Sequence, residues 1–220
     1  MTPDAREDAL RAIIAAAPTD AAHDLAHVAR VWATARTIAD TEGGDLAILL
    51  PAVHLHDLVN LPKDHPDNSR ASRLSADAAR PHLKALGYDR AQIDAIAHAI
   101  AAHSHSAQIP PETLDAKILQ DADRLDALGG IGLARWLMVS GQLGRQIAHP
   151  DDPFAANRPL DQDRWSLDHY ALKLLPMTRT MQTPTGHRMA CERLRPLSDF
   201  VAALSDDLGH PLTSHFGADS

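Results

Sequence analysis

Apolar residues recur along this chain at the three-to-four-residue spacing of a helix face, and no run shows the strict alternation of a half-buried strand. Residues 4–16 predict a short amphipathic helix ended by Pro18. Asp20 is placed to cap a long helix running to Glu42, with Leu25, Val28, Val31, Trp32, Ala35 and Ile38 at helical spacing. Gly43-Gly44 stops it, and Asp45 caps a helix carrying LAILLPAVHLHDLV. That segment is apolar nearly all round, which predicts a central, buried element. Pro62, Pro66, Asp67 and Asn68 mark a polar loop. Ser69 is expected to cap a helix over 69–86 that Gly87 terminates, and Asp89 to open another through His103. After Pro110-Pro111 a helix beginning near Glu112 carries AKILQDADRLDALG, and Gly129-Gly130-Ile131-Gly132 reads as flexible punctuation before LARWLMVSG. Residues 141–163, rich in Gly, Pro, Asp and Asn, form a long loop, and helices over roughly 163–176 and 186–208 precede a polar tail. The expected fold class is all-α.

Composition agrees with closely packed helices: 45% of residues are hydrophobic, only 4% aromatic, and alanine is used heavily. At 220 residues the chain fits a single domain, residues 1–220, with a helical core over about 20–140, a C-terminal helical extension over 141–208 and a tail at 209–220. A net charge of -8 without any lysine/arginine block argues against duplex nucleic acid as a partner. Cys191 is the single cysteine, so no intrachain disulfide forms. The first residues do not read as a signal peptide, and the longest apolar stretch, Leu46 to Leu55, contains Pro51 and His54. The expectation is a cytoplasmic protein that does not engage a membrane.

Histidine is over-represented, with 14 in the chain, so a histidine counts only where its neighbours add information. His23, His27 and Arg30 or Val31 share one helix face, which on its own reads as partly exposed helix histidines. His56-Asp57 closes the apolar helix, where a carboxylate is costly unless paired or bound to a cation. In ILQDADRLDALGG, Asp121, Asp123 and Asp126 sit among core-like Ile118, Leu119, Ala122, Leu125 and Leu128; the plain reading is an acidic face with Arg124 as a surface pair. Together His27, His56, Asp57 and Asp123 make a natural mixed N/O site for a divalent metal, a site type that binds phosphate oxygens and activates water.

The motifs HVARV at 27–31, HD at 56–57 and ADRL at 122–125 resemble the H…HD…D signature of the HD superfamily of metal-dependent phosphohydrolases. The blocks HDLVNLPKDHPDNSR, HSHSAQIPPETLDAKILQDADRLDALGGIG and DPFAANRPLD extend the resemblance to the YedJ/YpgQ-like branch, over roughly residues 20–205. The resemblance implies an HD-type helical bundle holding one divalent ion, Mn²⁺ foremost, with Mg²⁺, Fe²⁺, Co²⁺ and Ni²⁺ as alternatives. His27, His56, Asp57 and Asp123 would be its ligands, chosen over Asp121 and Asp126 on the match alone. Histidine ligands argue against a site built only for Mg²⁺.

The resemblance also implies roles around the ion. Lys63, in the loop after Asp57, would bind phosphate as a point charge and stabilise charge in the reaction. Many HD nucleotidases are similar in placing a glutamate three residues after the HD aspartate; Asn60 stands there here and would orient water or substrate. Asp57 and His103 are the further catalytic candidates, His103 as an acid or a phosphate contact, and Arg30 and Arg124 are candidate substrate contacts. His103 and His105 come from a region that binds a second ion in two-metal relatives, His23 is a candidate support for a ligand, and Arg158-Pro159-Leu160 a candidate cover. Trp32, Trp136 and Trp165 read as core or interface residues. The implied function is hydrolysis of a small phosphorylated metabolite, foremost a nucleoside triphosphate cleaved to monophosphate and pyrophosphate by metal-activated water, with a homodimer as a family-level expectation. Two alternatives stand beside it: a di-iron oxygenase drawing further ligands from His98, His103 or His105, and a non-catalytic nucleotide-binding module.

Overall fold

The computed structural model describes residues 3–16, 25–61, 65 and 67–217, and the chain divides into two compact units, Met1–Asp123 and Arg124–Ser220. Among the described residues the protein is all-α, with one isolated parallel bridge between Gln146 and Trp165. Asp20, His23 and Lys63 lie outside the described residues, as does the side chain of His105. No helix among the described residues is long and apolar enough to cross a membrane.

The first unit contains α1 (Pro3–Ala15), α2 (Leu25–Glu42), α3 (Leu46–Leu55), α4 (Ala71–Ala85), α5 (Arg90–His103) and most of α6 (Leu114–Leu125). The all-round apolarity of α3 has the expected consequence: Ile48, Leu49, Ala52, Val53 and Leu55 are buried, and α1, α2 and α5 pack on it. Its start is fixed by the Asp45 carboxylate, which accepts from the Ala47 amide at 2.8 Å. Just before it, Gly43 closes α2 with φ +91°, a left-handed conformation open to glycine at no steric cost. A reciprocal capping box between Asp89 and Gln92 starts α5.

Three boundaries differ from the sequence expectation. Ser69 does not cap α4: it falls within a short 3₁₀ turn, Asn68–Arg70, and Arg70 occupies the cap position without a side-chain bond. Helix α6 begins at Leu114, two residues after Glu112, because the Thr113 hydroxyl accepts from the Ala116 amide. Gly129-Gly130-Ile131-Gly132 is the first turn of α7 (Gly129–Gln142) and not a flexible link. A Cβ on Gly132 would lie 2.2 Å from the carbonyl oxygen of Ala127, so glycine there serves close packing.

The second unit continues with α8 (Ser166–His169), which widens into a π turn at Tyr170–Leu174 and tightens into 3₁₀ over Leu175–Thr180, and with α9 (Pro184–Leu208). The loop before α8 is internally tied. Arg158 donates twice to the buried Asp168 carboxylate, at 2.5 and 2.8 Å, and Asp152 accepts from the amides of Ala156 and Asn157. Trp136 and Trp165 are buried, while Trp32 is half-buried. The tail is less polar in structure than in sequence: Phe216 is buried, edge-on to Phe154 at 5.3 Å and stacked on Tyr170.

Candidate metal centre

Four helices of the first unit bring their donor atoms together. His27 lies on the buried stripe of α2, in line with Val28, Val31, Ala35 and Ile38. His56 is the C-cap residue of α3 and is fully buried; Asp57 follows in the turn. His103 ends α5, and Asp123 comes from α6. His27 Nε2 and His56 Nε2 are 3.3 Å apart, and Asp123 Oδ1 lies 3.5 Å from the first and 3.7 Å from the second. Asp57 divides its oxygens: Oδ2 is 3.3 Å from His56 Nε2, and Oδ1 is 3.5 Å from His103 Nε2. The imidazoles are buried and the carboxylates about a quarter exposed, so the cluster opens to solvent on its acidic side.

The backbone selects which ring nitrogens face this centre. His56 Nδ1 donates to the Val53 carbonyl and His103 Nδ1 to the Ile100 carbonyl, each at 2.7 Å. With Nδ1–H committed, Nε2 carries the lone pair, as a ligating imidazole requires. One ligand atom each from His27, His56 and Asp57 lies within 4.8 Å of the others, and Asp123 Oδ1 sits beside both imidazoles, so acceptor lone pairs crowd together in an arrangement that a cation or a proton relieves. Metal bonds of about 2.1 Å put adjacent ligand atoms about 3 Å apart. The separations of His56 Nε2 from His27 Nε2 and from Asp57 Oδ2, each 3.3 Å, are close to that value, so these three donors fit a divalent ion, with Asp123 Oδ1 beside the two imidazoles as the fourth candidate.

Electrostatics record the same crowding in protons. Burial pushes the His56 imidazole down, but the Asp57 charge and hydrogen bond, with the Asp123 charge, outweigh it and raise the group to about 9. Burial likewise opposes ionisation of Asp57, yet the neighbouring His56 and His103 hold its carboxyl well below the usual range. His54, two residues earlier, is pushed down by burial; it donates to the Leu50 carbonyl and packs edge-on to Trp32. Of the two histidines in HLHD, only His56 joins the cluster.

The three aspartates of the QDADRLD stretch part company. Asp123 meets the histidines, Asp126 is buried against Arg135 at 2.7 Å, and Asp121 is fully buried. Asn60 is half-buried three residues after Asp57, and Arg30 is half-buried one turn after His27. Arg124 donates to the Thr180 carbonyl at 2.7 Å, and Arg158 is engaged with Asp168. His98 accepts from the Glu112 amide, so of His98 and His103 only the latter meets a candidate ligand. Residues that the sequence reading missed supply support. Ser75 bonds both backbone groups of Val59, Ser72 bonds Ala101, and Gln120 bonds Ala102. Their only sequence signal is that Ser72 and Ser75 fall on the apolar stripe of α4 with Ala76, Ala79 and Leu83.

Comparison with known proteins points to one family. The family model of the HD domain matches residues 24–128. The Bacillus subtilis (strain 168) protein YpgQ is 31% identical over 190 residues, covering 84% of each chain. The crystal structure of Bacillus subtilis YpgQ in complex with ADP superposes with a TM-score of 0.70 at 28% identity, over 91% of this chain and 97% of that one. An HD-superfamily hydrolase from Bacillus thuringiensis gives 0.73 at 26% identity, over 96% and 100%. HD domains bind divalent metals, and the candidate ligands lie within the matched segment. With its relatives spanning nearly its whole length, this chain belongs to the HD-domain family.

Proposed function

We propose that this protein is a divalent-metal-dependent phosphohydrolase whose substrate is a nucleotide, with cleavage of a nucleoside triphosphate to monophosphate and pyrophosphate as the leading reaction. The observation that carries this reading is the cluster of His27, His56 and Asp57 donor atoms, with Asp123 Oδ1 beside both imidazoles and the carboxylates partly open to solvent. An HD-superfamily hydrolase among the structural relatives supports the reaction class, and the ADP in the YpgQ complex supports a nucleotide.

His27, His56, Asp57 and Asp123 would hold the ion, with Mn²⁺ favoured over Mg²⁺ by the two imidazoles. Such an ion polarises a phosphoryl oxygen and makes water a competent nucleophile near neutral pH. The chain's own groups do the rest. Buried imidazoles keep bulk water from the inner side of the centre, and the exposed carboxylate side admits the phosphate. His103 keeps Asp57 oriented through its contact at 3.5 Å, and is the nearest imidazole outside the ligand set from which a proton could pass. Asn60, Arg30 and Lys63 are the proposed contacts for substrate, with the amide of Asn60 orienting rather than accepting a proton. Arg124, already bonded to Thr180, would reach a phosphate only by giving up that bond.

The test begins with metal analysis of the protein as purified. A Mn²⁺-supplemented screen against nucleoside mono-, di- and triphosphates follows, reading phosphate and pyrophosphate separately. His56→Ala and Asp57→Ala are expected to lose bound metal and turnover together. Full metal content and full activity in both variants would sink the proposal, and release of phosphate without pyrophosphate would redirect it to a phosphatase.

A further inference from the structure

The buried stripe of α4 carries two hydroxyls with no part in the chemistry above. Ser75 is fully buried; its Oγ accepts from the Val59 amide at 3.0 Å and donates to the Val59 carbonyl at 3.2 Å. Ser72, one helical turn earlier on the same face, is buried too and donates to the Ala101 carbonyl at 2.9 Å. Val59 lies two residues after Asp57, and Ala101 two residues before His103. One rigid turn of helix thus holds both segments whose side chains meet at Asp57 Oδ1 and His103 Nε2.

Both attachment points need an outside partner. Past Leu58, whose amide still bonds the Leu55 carbonyl, the α3 ladder ends. Ala101 stands in the last turn of α5, where carbonyls lack intrahelical donors. Three successive carbonyls of that turn have a side-chain donor: His103 Nδ1 for Ile100, Ser72 for Ala101, and Gln120 Nε2 for Ala102 at 2.8 Å. The end of α5 is therefore held from α4 and α6 at once, which fixes the direction of His103.

We propose that α4 is the brace of the metal centre: Ser72 and Ser75 are positioning residues that set the Asp57 turn against the His103 end of α5. This rests on the ligand set argued above. The experiment uses the full-length protein with Ser72→Ala and Ser75→Ala, and Ile96→Val on α5 as a control for loss of stability by packing alone. Ser75→Cys, which keeps the side chain's size but bonds weakly, takes the place of Ser75→Ala if that variant does not fold. Three quantities are read: Mn²⁺ affinity by titration, the visible spectrum of the Co²⁺-loaded protein, and the division of any activity loss between kcat and KM. Each serine variant is expected to weaken Mn²⁺ about tenfold, as loss of an outer support does, to alter the Co²⁺ spectrum, and to lower kcat more than it raises KM. The double variant should lose less than the product of the two single effects, because both act on one contact. The control, at a comparable fall in melting temperature, should leave all three quantities unchanged. Serine variants that match the wild type in Mn²⁺ affinity and Co²⁺ spectrum overturn the brace while leaving the ligand set standing. A wild-type protein that binds no divalent ion overturns the ligand set, and the brace with it, before any variant is compared.

Discussion

Protons and a divalent ion compete for the same lone pair on His56, so metal affinity should tighten steeply as pH rises. Burial alone would disfavour the proton, yet the Asp57 and Asp123 carboxylates raise the imidazole from 6.5 to about 9. The ring is fully buried, so solvent screens little of this. At about 1.4 kcal/mol for each tenfold in proton affinity, the displacement is worth about 3 kcal/mol. In the metal-free protein the folded value lies above the unfolded one. The protonated His56 therefore stabilises the fold fully below 6.5, and that contribution is lost as pH climbs through about 9. Over the same window the bound ion must displace the proton. Affinity is thus expected to rise about tenfold per pH unit, with about one proton released per ion. Calorimetric Mn²⁺ titrations at two pH values, each in two buffers of different ionisation enthalpy, measure both quantities, and melts of chelator-treated protein measure the stability arm. A pH-independent affinity without proton release, or a metal-free melting temperature that climbs through this window, would refute the reasoning.

Two further outcomes concern the second unit. Arg158→Ala strands the fully buried Asp168 carboxylate, which accepts from both terminal guanidinium nitrogens and from the Asp161 amide, and should cost about 3–5 kcal/mol by denaturant melt. A loss under about 1 kcal/mol would mean that the loop relaxes and hydrates the carboxylate. Gly132→Ala forces a methyl onto the Ala127 carbonyl and should cost about 3 kcal/mol or more, whereas Gly130→Ala meets open space and should be neutral or stabilising by up to about 1 kcal/mol. Equal melting temperatures for the two alanine variants would contradict the packing argument.

Helix identity was legible where a local rule and the apolar pattern agreed. Asp45 and Asp89 cap as their positions suggest, because an aspartate before an apolar-periodic run has one good use for its carboxylate. Ser69 follows the same rule on paper but fails it, since the chain enters α4 through a 3₁₀ turn that moves the cap to Arg70. The glycines at 129–132 misled for a different reason. Their composition signals freedom, while the decisive fact at Gly132 is the carbonyl of Ala127, a contact that spacing does not reveal. Phe216 shows the reverse case: one aromatic in a polar run outweighs its neighbours, because burial against Phe154 and Tyr170 stabilises more than the polar residues lose by following it.

The donor residues of the centre could be named from sequence, but the reason that His56 serves and His54 does not lies in helix ends. Both bond a backbone carbonyl through Nδ1, His54 to Leu50 and His56 to Val53, so the tautomer does not separate them. What differs is position. His54 is within α3 and its ring meets Trp32, whereas His56 is the C-cap, where the chain turns and a neighbouring Asp57 can share its target. His103 repeats the arrangement at the end of α5, with its Nδ1 on the carbonyl three residues back and its Nε2 outward. A helix C-terminus offers carbonyls without intrahelical donors. A histidine placed there satisfies one of them with Nδ1–H and, by the same bond, aims a fixed lone pair beyond the helix. Two apolar helices ending in histidine, with a carboxylate one residue past the first, therefore encode the inner half of this site. The supports Ser72, Ser75 and Gln120 stay invisible to that rule because each acts on another segment's backbone, which only the folded chain brings within reach.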